Sequence, residues 1–123
     1  MEESPFKGKT GVRRIIRAAG YSIEGLASAY VHEDAFRQEV LFVVLMGIVA
    51  FVLEVTALSR ALMIASLLLV LIVELLNSAI EAAVDRISLD SHRLSKRAKD
   101  IGSAAVMISL LNVVVVWSLI LAG

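Results

Sequence analysis

The sequence predicts an all-α membrane protein with three transmembrane helices and an amphipathic N-terminal helix on the membrane surface. Of its 123 residues, 59% are hydrophobic, whereas soluble domains contain roughly 45–50% apolar residues. Three long apolar stretches follow one another, and the last of them, residues 101–123, carries no charged side chain. We therefore expect a single membrane domain that covers residues 1–123.

The composition also narrows the kinds of site that the chain can carry. The absence of cysteine excludes disulfides and thiolate metal sites, and two histidines argue against a His-rich zinc site. The formal net charge is zero and by itself says nothing about nucleic acid; no nucleic-acid partner is expected.

The N-terminal region combines a polar tail with an amphipathic segment. Residues 1–10 are mostly polar and charged, and we expect them to form a flexible tail. In residues 11–31 the apolar side chains recur at helical spacing, with Arg13, Arg14 and Arg17 beside that stripe. A basic amphipathic helix ahead of a hydrophobic span is typical of a helix that lies in the membrane interface. An ordinary amphipathic helix packed against protein is the alternative.

Three transmembrane helices are expected, over residues 34–54, 59–88 and 96–122. The first contains an unbroken apolar run, residues 40–53, which alone spans about 21 Å at 1.5 Å per residue. Adding residues 35–39 reaches the ~30 Å of a bilayer's hydrocarbon core. Basic residues are concentrated in the N-terminal region and in the loop between the second and third spans. This distribution predicts a cytoplasmic N-terminus and a periplasmic C-terminus.

The second predicted span carries the most informative pattern in the chain, a stripe of polar residues. The stripe consists of Glu74, Asn77, Ser78, Glu81 and Asp85. At 100° per residue these side chains fall within an arc of about 100° on one helical face. An ionisable group at the bilayer centre costs roughly 2.5–3.5 kcal/mol, so this face must meet protein, water or a cation. Glu81 is expected at the cytoplasmic boundary and Glu74 about 10 Å deeper, which suits a site shared by an aqueous and a lipidic substrate.

These features also have plain structural interpretations. The stripe can be a polar seam between helices that binds nothing. Glu33 and Asp34 can cap the helix that follows them. Lys99 can bind phosphate or simply mark the membrane boundary. The chain has no G-x-x-x-x-G-K-[ST] loop and no G-x-G-x-x-G motif, so the residues by themselves predict a membrane protein with a buried acidic site.

Four segments together resemble the prokaryotic diacylglycerol kinase family. They are residues 14–22 (RIIRAAGYS), 33–39 (EDAFRQE), 73–86 (VELLNSAIEAAVDR) and 97–105 (RAKDIGSAA). The resemblance covers residues 12–122, in order and at the family's spacing. It implies a homotrimer in the bacterial inner membrane that moves the γ-phosphate of MgATP to the primary hydroxyl of diacylglycerol, giving phosphatidic acid. An oligomer is also favoured because a three-helix subunit has little interior in which to hide Glu74, Asn77 and Glu81 from lipid.

The resemblance further implies a role for each matching residue. Glu74 matches the family's general base, and Glu33 and Glu81 match its metal ligands, with Mg2+ as the implied cofactor and ATP as co-substrate. The residues that match nucleotide-binding positions are Arg14, Tyr21, Glu33, Glu81, His92, Lys99 and Asp100. Those that match lipid-substrate positions are Arg14, Ser22, Ala35, Phe36, Arg37, Gln38, Glu39, Glu74, Asn77 and Ser103.

Two other functions stay open at this point. A related branch of lipid kinases phosphorylates undecaprenol, although the AFRQE and AGYS stretches favour the diacylglycerol branch. A small proton-coupled transporter subunit, which belongs to a different class, would use the glutamates as a proton relay. A transporter predicts carboxylates near the bilayer midplane, often on broken helices, whereas those of this chain cluster toward the cytoplasmic half beside basic residues.

Overall fold

The protein is built from α-helices. The computed structural model describes residues 7–87 and 93–123, with side chains from residue 11 onward. Its helices are α1 (Lys7–His32), α2 (Asp34–Val52), α3 (Ala57–Ile87) and α4 (Arg93–Ala122). The described residues contain no strand. Helices α2, α3 and α4 are each long and apolar enough to cross a membrane, which confirms the predicted fold class.

The chain divides into two compact units, Met1–Glu33 and Asp34–Gly123. The first unit contains α1, a continuous amphipathic helix whose side chains from residue 11 onward are almost all exposed. Its exposed apolar residues include Ile15 and Ile23. At its C-terminal end the backbone N–H of Glu33 donates to the carbonyl of Ala29 at 2.9 Å, which satisfies one of the carbonyls that a helix end leaves without an intrahelical partner.

The second unit is organised around α3, which packs against both α2 and α4. Met63, Leu67 and Val70 lie one helical turn apart and are almost completely buried, so they form the apolar stripe that joins the three helices. The remaining buried members of this core are Ala50, Val113 and Trp117. The indole Nε1 of Trp117 donates to the carbonyl of Met63 at 3.3 Å, which gives its polar atom a partner inside the core.

The short turn between α2 and α3 is closed by side chains that satisfy helix ends. Thr56 caps α3, because its hydroxyl accepts a hydrogen bond from the backbone N–H of Ser59 at 3.1 Å. Arg60 reaches back across the turn, where Nε donates to the carbonyl of Ala50 at 3.0 Å and Nη2 donates to that of Leu53 at 2.9 Å. The guanidinium therefore binds carbonyls at the end of α2 and just beyond it, and the carbonyl of Leu53 also accepts from the backbone N–H of Val55 at 3.1 Å.

Replacing Arg60 by lysine is expected to destabilise the protein without changing its chemistry. A lysine carries one ammonium group and cannot donate to two separated carbonyls as the planar guanidinium does. Loss of a hydrogen bond from a charged donor costs about 1.5–3 kcal/mol. The measurement is the thermal denaturation midpoint in detergent, compared with Arg93→Lys, a substitution at an exposed position of α4. Equal midpoints for the two variants would contradict the capping role.

Candidate active site

The polar stripe of α3 runs from the interior of the second unit to its surface. Glu74 and Asn77 are 5% and 8% exposed, respectively. Ser78 and Glu81 are half-buried, and Asp85 is exposed. A single chain thus buries Glu74 and Asn77, contrary to the expectation that one subunit has too little interior for them. The physical reason is that α2 and α4 both pack on α3 and cover this face.

At the buried end of the stripe, two carboxylates from different helices approach each other. Glu39 of α2 lies close enough to Glu74 of α3 for electrostatic interaction. The Oε2 atom of Glu39 is buried and has no hydrogen-bond partner among the described residues. Two carboxylates in an apolar setting repel each other, and a buried acceptor without a donor is costly. A hydroxyl group that donates a hydrogen bond therefore suits this location.

Asn77 links the buried end of the stripe to Glu81. Its Nδ2 donates to Oε1 of Glu81 at 3.3 Å, while its Oδ1 is buried and has no hydrogen-bond partner among the described residues. On the facing helix, Gly102 is buried. A Cβ atom added to Gly102 would lie 3.3 Å from Cγ of Asn77 and closer still to its Oδ1. The missing side chain of Gly102 thus lets α4 approach α3 at the level of Asn77.

At the exposed end of the stripe, charges of both signs come together. Nζ of Lys99 on α4 lies 2.5 Å from Oδ1 of Asp85 on α3, and Lys99 is also within electrostatic range of Glu81. Within α4, Lys96 pairs with Asp100 at 2.6 Å. Asp85, Lys99 and Glu81 thus place charges of both signs at this end of the stripe. An ammonium group and carboxylates in one partly exposed cluster can bind both phosphate and a cation.

The other predicted site residues of the second unit are distributed between its interior and its surface. Phe36 is buried, and Arg37 pairs with Asp34 in the first turn of α2. Ala35, Gln38 and Ser103 are exposed. The lipid-substrate positions therefore do not line one closed pocket within this single unit.

Four of the predicted site residues belong to the first unit, and a fifth, His92, is not among the described residues. Arg14, Tyr21 and Ser22 are exposed on α1, where the Ser22 hydroxyl donates to the carbonyl of Ala18 at 2.8 Å. Glu33 directly follows α1 and is half-buried.

The carboxylates of the described residues can supply part of a Mg2+ coordination shell. Among residues 11–87 and 93–123, no three His, Asp or Glu side chains are grouped closely enough to hold a metal ion together. Mg2+ that arrives with a nucleotide needs only one or two carboxylates, because phosphate oxygens and waters complete its shell. Glu81 fits that requirement, since it is half-buried and Asn77 donates to only one of its oxygens.

Comparison with known proteins decides the family. The sequence profile described as prokaryotic diacylglycerol kinase matches residues 20–121. This chain belongs to the prokaryotic diacylglycerol kinase family. Family membership confirms the resemblance drawn from the four segments, and with it the predicted lipid kinase class. The alternative of a proton-coupled transporter subunit is set aside.

Individual members of the diacylglycerol kinase family are similar along nearly the whole chain. The diacylglycerol kinase of Pseudomonas aeruginosa is 58% identical over 123 residues, which is all of both chains. That of Escherichia coli strain K12 is 54% identical over 112 residues, covering 91% of this chain and 92% of the relative. That of Haemophilus influenzae is 47% identical over 112 residues, covering 91% of this chain and 95% of the relative.

Proposed function

We propose that this chain transfers the γ-phosphate of MgATP to the primary hydroxyl of diacylglycerol, giving phosphatidic acid and ADP. The observation that carries the proposal is the arrangement of acidic side chains along α3, in a chain that belongs to the diacylglycerol kinase family. A buried carboxylate, Glu74, shares one helical face with Glu81 and with Asp85, the partner of Lys99. Phosphate transfer from ATP to a lipid needs a buried environment for the lipid hydroxyl directly beside a charged, exposed environment for the triphosphate.

Glu74 is the proposed general base. It takes the proton of the lipid hydroxyl as the oxygen attacks the γ-phosphorus and the bond to the β-phosphate oxygen breaks. The orphaned Oε2 of Glu39 nearby supports a hydroxyl donor at this place. The other proposed lipid contacts are Arg14, Ser22, Ala35, Phe36, Arg37, Gln38, Asn77 and Ser103.

The nucleotide is proposed to bind at the exposed end of the stripe. Phosphoryl transfer depends on positioning and on charge stabilisation more than on covalent chemistry, so a fold without a glycine-rich phosphate loop can perform it. Lys99 supplies positive charge at this end, beside Asp85 and near Glu81. The other proposed nucleotide contacts are Arg14, Tyr21, His92 and Asp100.

Glu33 and Glu81 are the proposed magnesium ligands. When bound, the ion neutralises charge on the β- and γ-phosphates. Within the chain, Asn77 orients Glu81 through its Nδ2 hydrogen bond, and this leaves the other carboxylate oxygen available.

The proposed location is the bacterial inner membrane, with the N-terminus cytoplasmic and the C-terminus periplasmic. The basic residues support this orientation. They are concentrated in the N-terminal region and around the junction of α3 and α4, with Arg60 beside the turn between α2 and α3 and none in the C-terminal half of α4. The exposed end of the stripe then faces the cytoplasm, where ATP is available.

The proposed substrate is tested by offering two lipid alcohols separately. Purified protein in mixed micelles receives γ-labelled ATP, Mg2+ and either diacylglycerol or undecaprenol, and the labelled lipid is identified by chromatography. Label is expected in phosphatidic acid, with at most a trace in undecaprenyl phosphate. Preferential labelling of undecaprenol would contradict the assignment of the lipid while leaving the kinase class intact.

We also propose that the active form is a homotrimer, as the family resemblance implies. Support comes from Gln38 and Ser103, which are exposed on the single chain although they match lipid-binding positions, so a neighbouring subunit is needed to enclose the substrate. We expect the purified enzyme in detergent to have the mass of three chains, and dilution into monomers to abolish turnover. Monomers that turn over at the trimer's rate per chain would contradict this.

A further inference from the structure

Gly102 has a packing environment unlike that of the glycines inside the other helices. At Gly20, Gly25 and Gly47 an added Cβ would meet nothing within 4 Å. At Gly102 it would lie 3.3 Å from Cγ of Asn77, and it would overlap the Oδ1 atom. A methyl group at position 102 is therefore excluded unless the Asn77 amide moves.

Asn77 has little freedom to move without breaking another contact. It is 8% exposed, so its amide is enclosed by packed side chains and helix backbone. The amide is planar, and turning Oδ1 away from α4 also turns Nδ2, which donates to Glu81 at 3.3 Å. Displacing one end of the amide thus releases the carboxylate held by the other end.

We propose that Gly102 is a positioning residue of the phosphotransfer site. By lacking a side chain, Gly102 leaves room for Asn77 to adopt the rotamer in which its Nδ2 donates to the Glu81 carboxylate. The inference rests on the proposed function, in which Glu81 binds the metal of MgATP. The competing explanation is that Gly102 only allows two helices to pack closely, as small residues often do in membranes. That explanation predicts lost stability while the folded protein still binds MgADP as wild type does.

The structure provides a design that separates these explanations. In an Asn77→Ala background, a methyl group at position 102 would meet the Cβ of residue 77 at 3.9 Å, which is an ordinary van der Waals distance. Gly102→Ala should therefore disturb the site when Asn77 is present and be tolerated when Asn77 is absent. Gly47→Ala is the matched control, because it adds the same methyl group within a helix, in open space.

The experiment compares wild type, Gly102→Ala, Asn77→Ala, the double variant and Gly47→Ala. The readouts are calorimetric binding of MgADP to the detergent-solubilised protein, kcat and the KM for MgATP, and the thermal denaturation midpoint. Loss of a group that orients a metal ligand typically costs 10–100-fold in affinity. We expect Gly102→Ala and Asn77→Ala each to weaken MgADP binding and raise the KM for MgATP by about 10–100-fold. The double variant should match Asn77→Ala, and Gly47→Ala should match wild type.

Each outcome has a defined consequence. If Asn77→Ala is impaired and adding Gly102→Ala causes a further loss of binding similar to that in wild type, the two effects are independent and the inference is overturned. Unchanged MgADP binding in Asn77→Ala would instead contradict the proposed role of the Asn77–Glu81 pair. Should Gly102→Ala fail to fold, the comparison of the double variant with Asn77→Ala decides. If the double variant binds MgADP as tightly as Asn77→Ala does, the inference is supported. If the double variant binds MgADP more weakly, the inference is overturned.

Discussion

Replacing Glu81 by glutamine is expected to abolish kinase activity at ordinary magnesium concentrations while the protein stays folded. The amide lacks the negative charge that the proposed metal site requires, yet its oxygen still accepts the hydrogen bond from Nδ2 of Asn77. Removing a group that only orients a metal ligand costs 10–100-fold. Removing the charge of the ligand itself should therefore lower turnover by about 100-fold or more.

The Glu81→Gln prediction is checked by measuring turnover over a series of Mg2+ concentrations, together with the denaturation midpoint. The control is Glu54→Gln, which removes the same charge from an exposed position in the turn between α2 and α3 and should leave both quantities unchanged. Near-normal turnover of Glu81→Gln at ordinary Mg2+ would contradict its role as a metal ligand.

The second large effect is expected for Glu74→Gln. Removal of a general base typically lowers the rate 10²–10⁴-fold, which is about 3–5 kcal/mol of activation barrier. The KM for ATP should change little, because the nucleotide is proposed to bind near Glu81 and Lys99, at the exposed end of the stripe. Steady-state kinetics with ATP and diacylglycerol varied separately would show this pattern. A loss of ATP affinity as large as the loss of turnover would place Glu74 at the nucleotide instead.

The apolar runs of the sequence were sufficient to predict the transmembrane helices. The run over residues 40–53 and the uncharged residues 101–123 leave few alternatives, since unpaired backbone groups are costly in a bilayer. Helix ends were less predictable. The first span was expected to reach residue 54, but α2 ends at Val52, where carbonyls near its end bond to the Arg60 side chain. The spacing of apolar residues along a helix does not indicate a contact that a side chain makes across a turn.

The residues of the polar stripe on α3 could be predicted from the sequence, whereas their contacts with α4 could not. Helical spacing alone places Glu74, Asn77 and Glu81 on one face, so the sequence was enough to find them. The pairing of Lys99 with Asp85 and the approach of Gly102 to Asn77 depend on the register between α3 and α4. That register arises from packing of the apolar core, and no spacing within one helix encodes it.

The position of Gly102 shows how such a residue is missed. It lies within the segment RAKDIGSAA, which also contains Lys99, Asp100 and Ser103, whose polar side chains attract attention as ligands. A glycine has no side chain to coordinate or bind anything. Its contribution becomes visible only when the neighbouring helix is present, because the feature that matters is the space it leaves for Asn77.

Whether the stripe on α3 is catalytic is tested most directly with a single purified preparation of Glu74→Gln. On the same purified variant, turnover per assembled oligomer and the stability of that oligomer toward dissociation are measured side by side. We predict that turnover falls 10²–10⁴-fold while oligomer stability stays near that of wild type. If the oligomer instead dissociates more easily while turnover per oligomer is retained, the stripe is a packing seam and Glu74 is not the base.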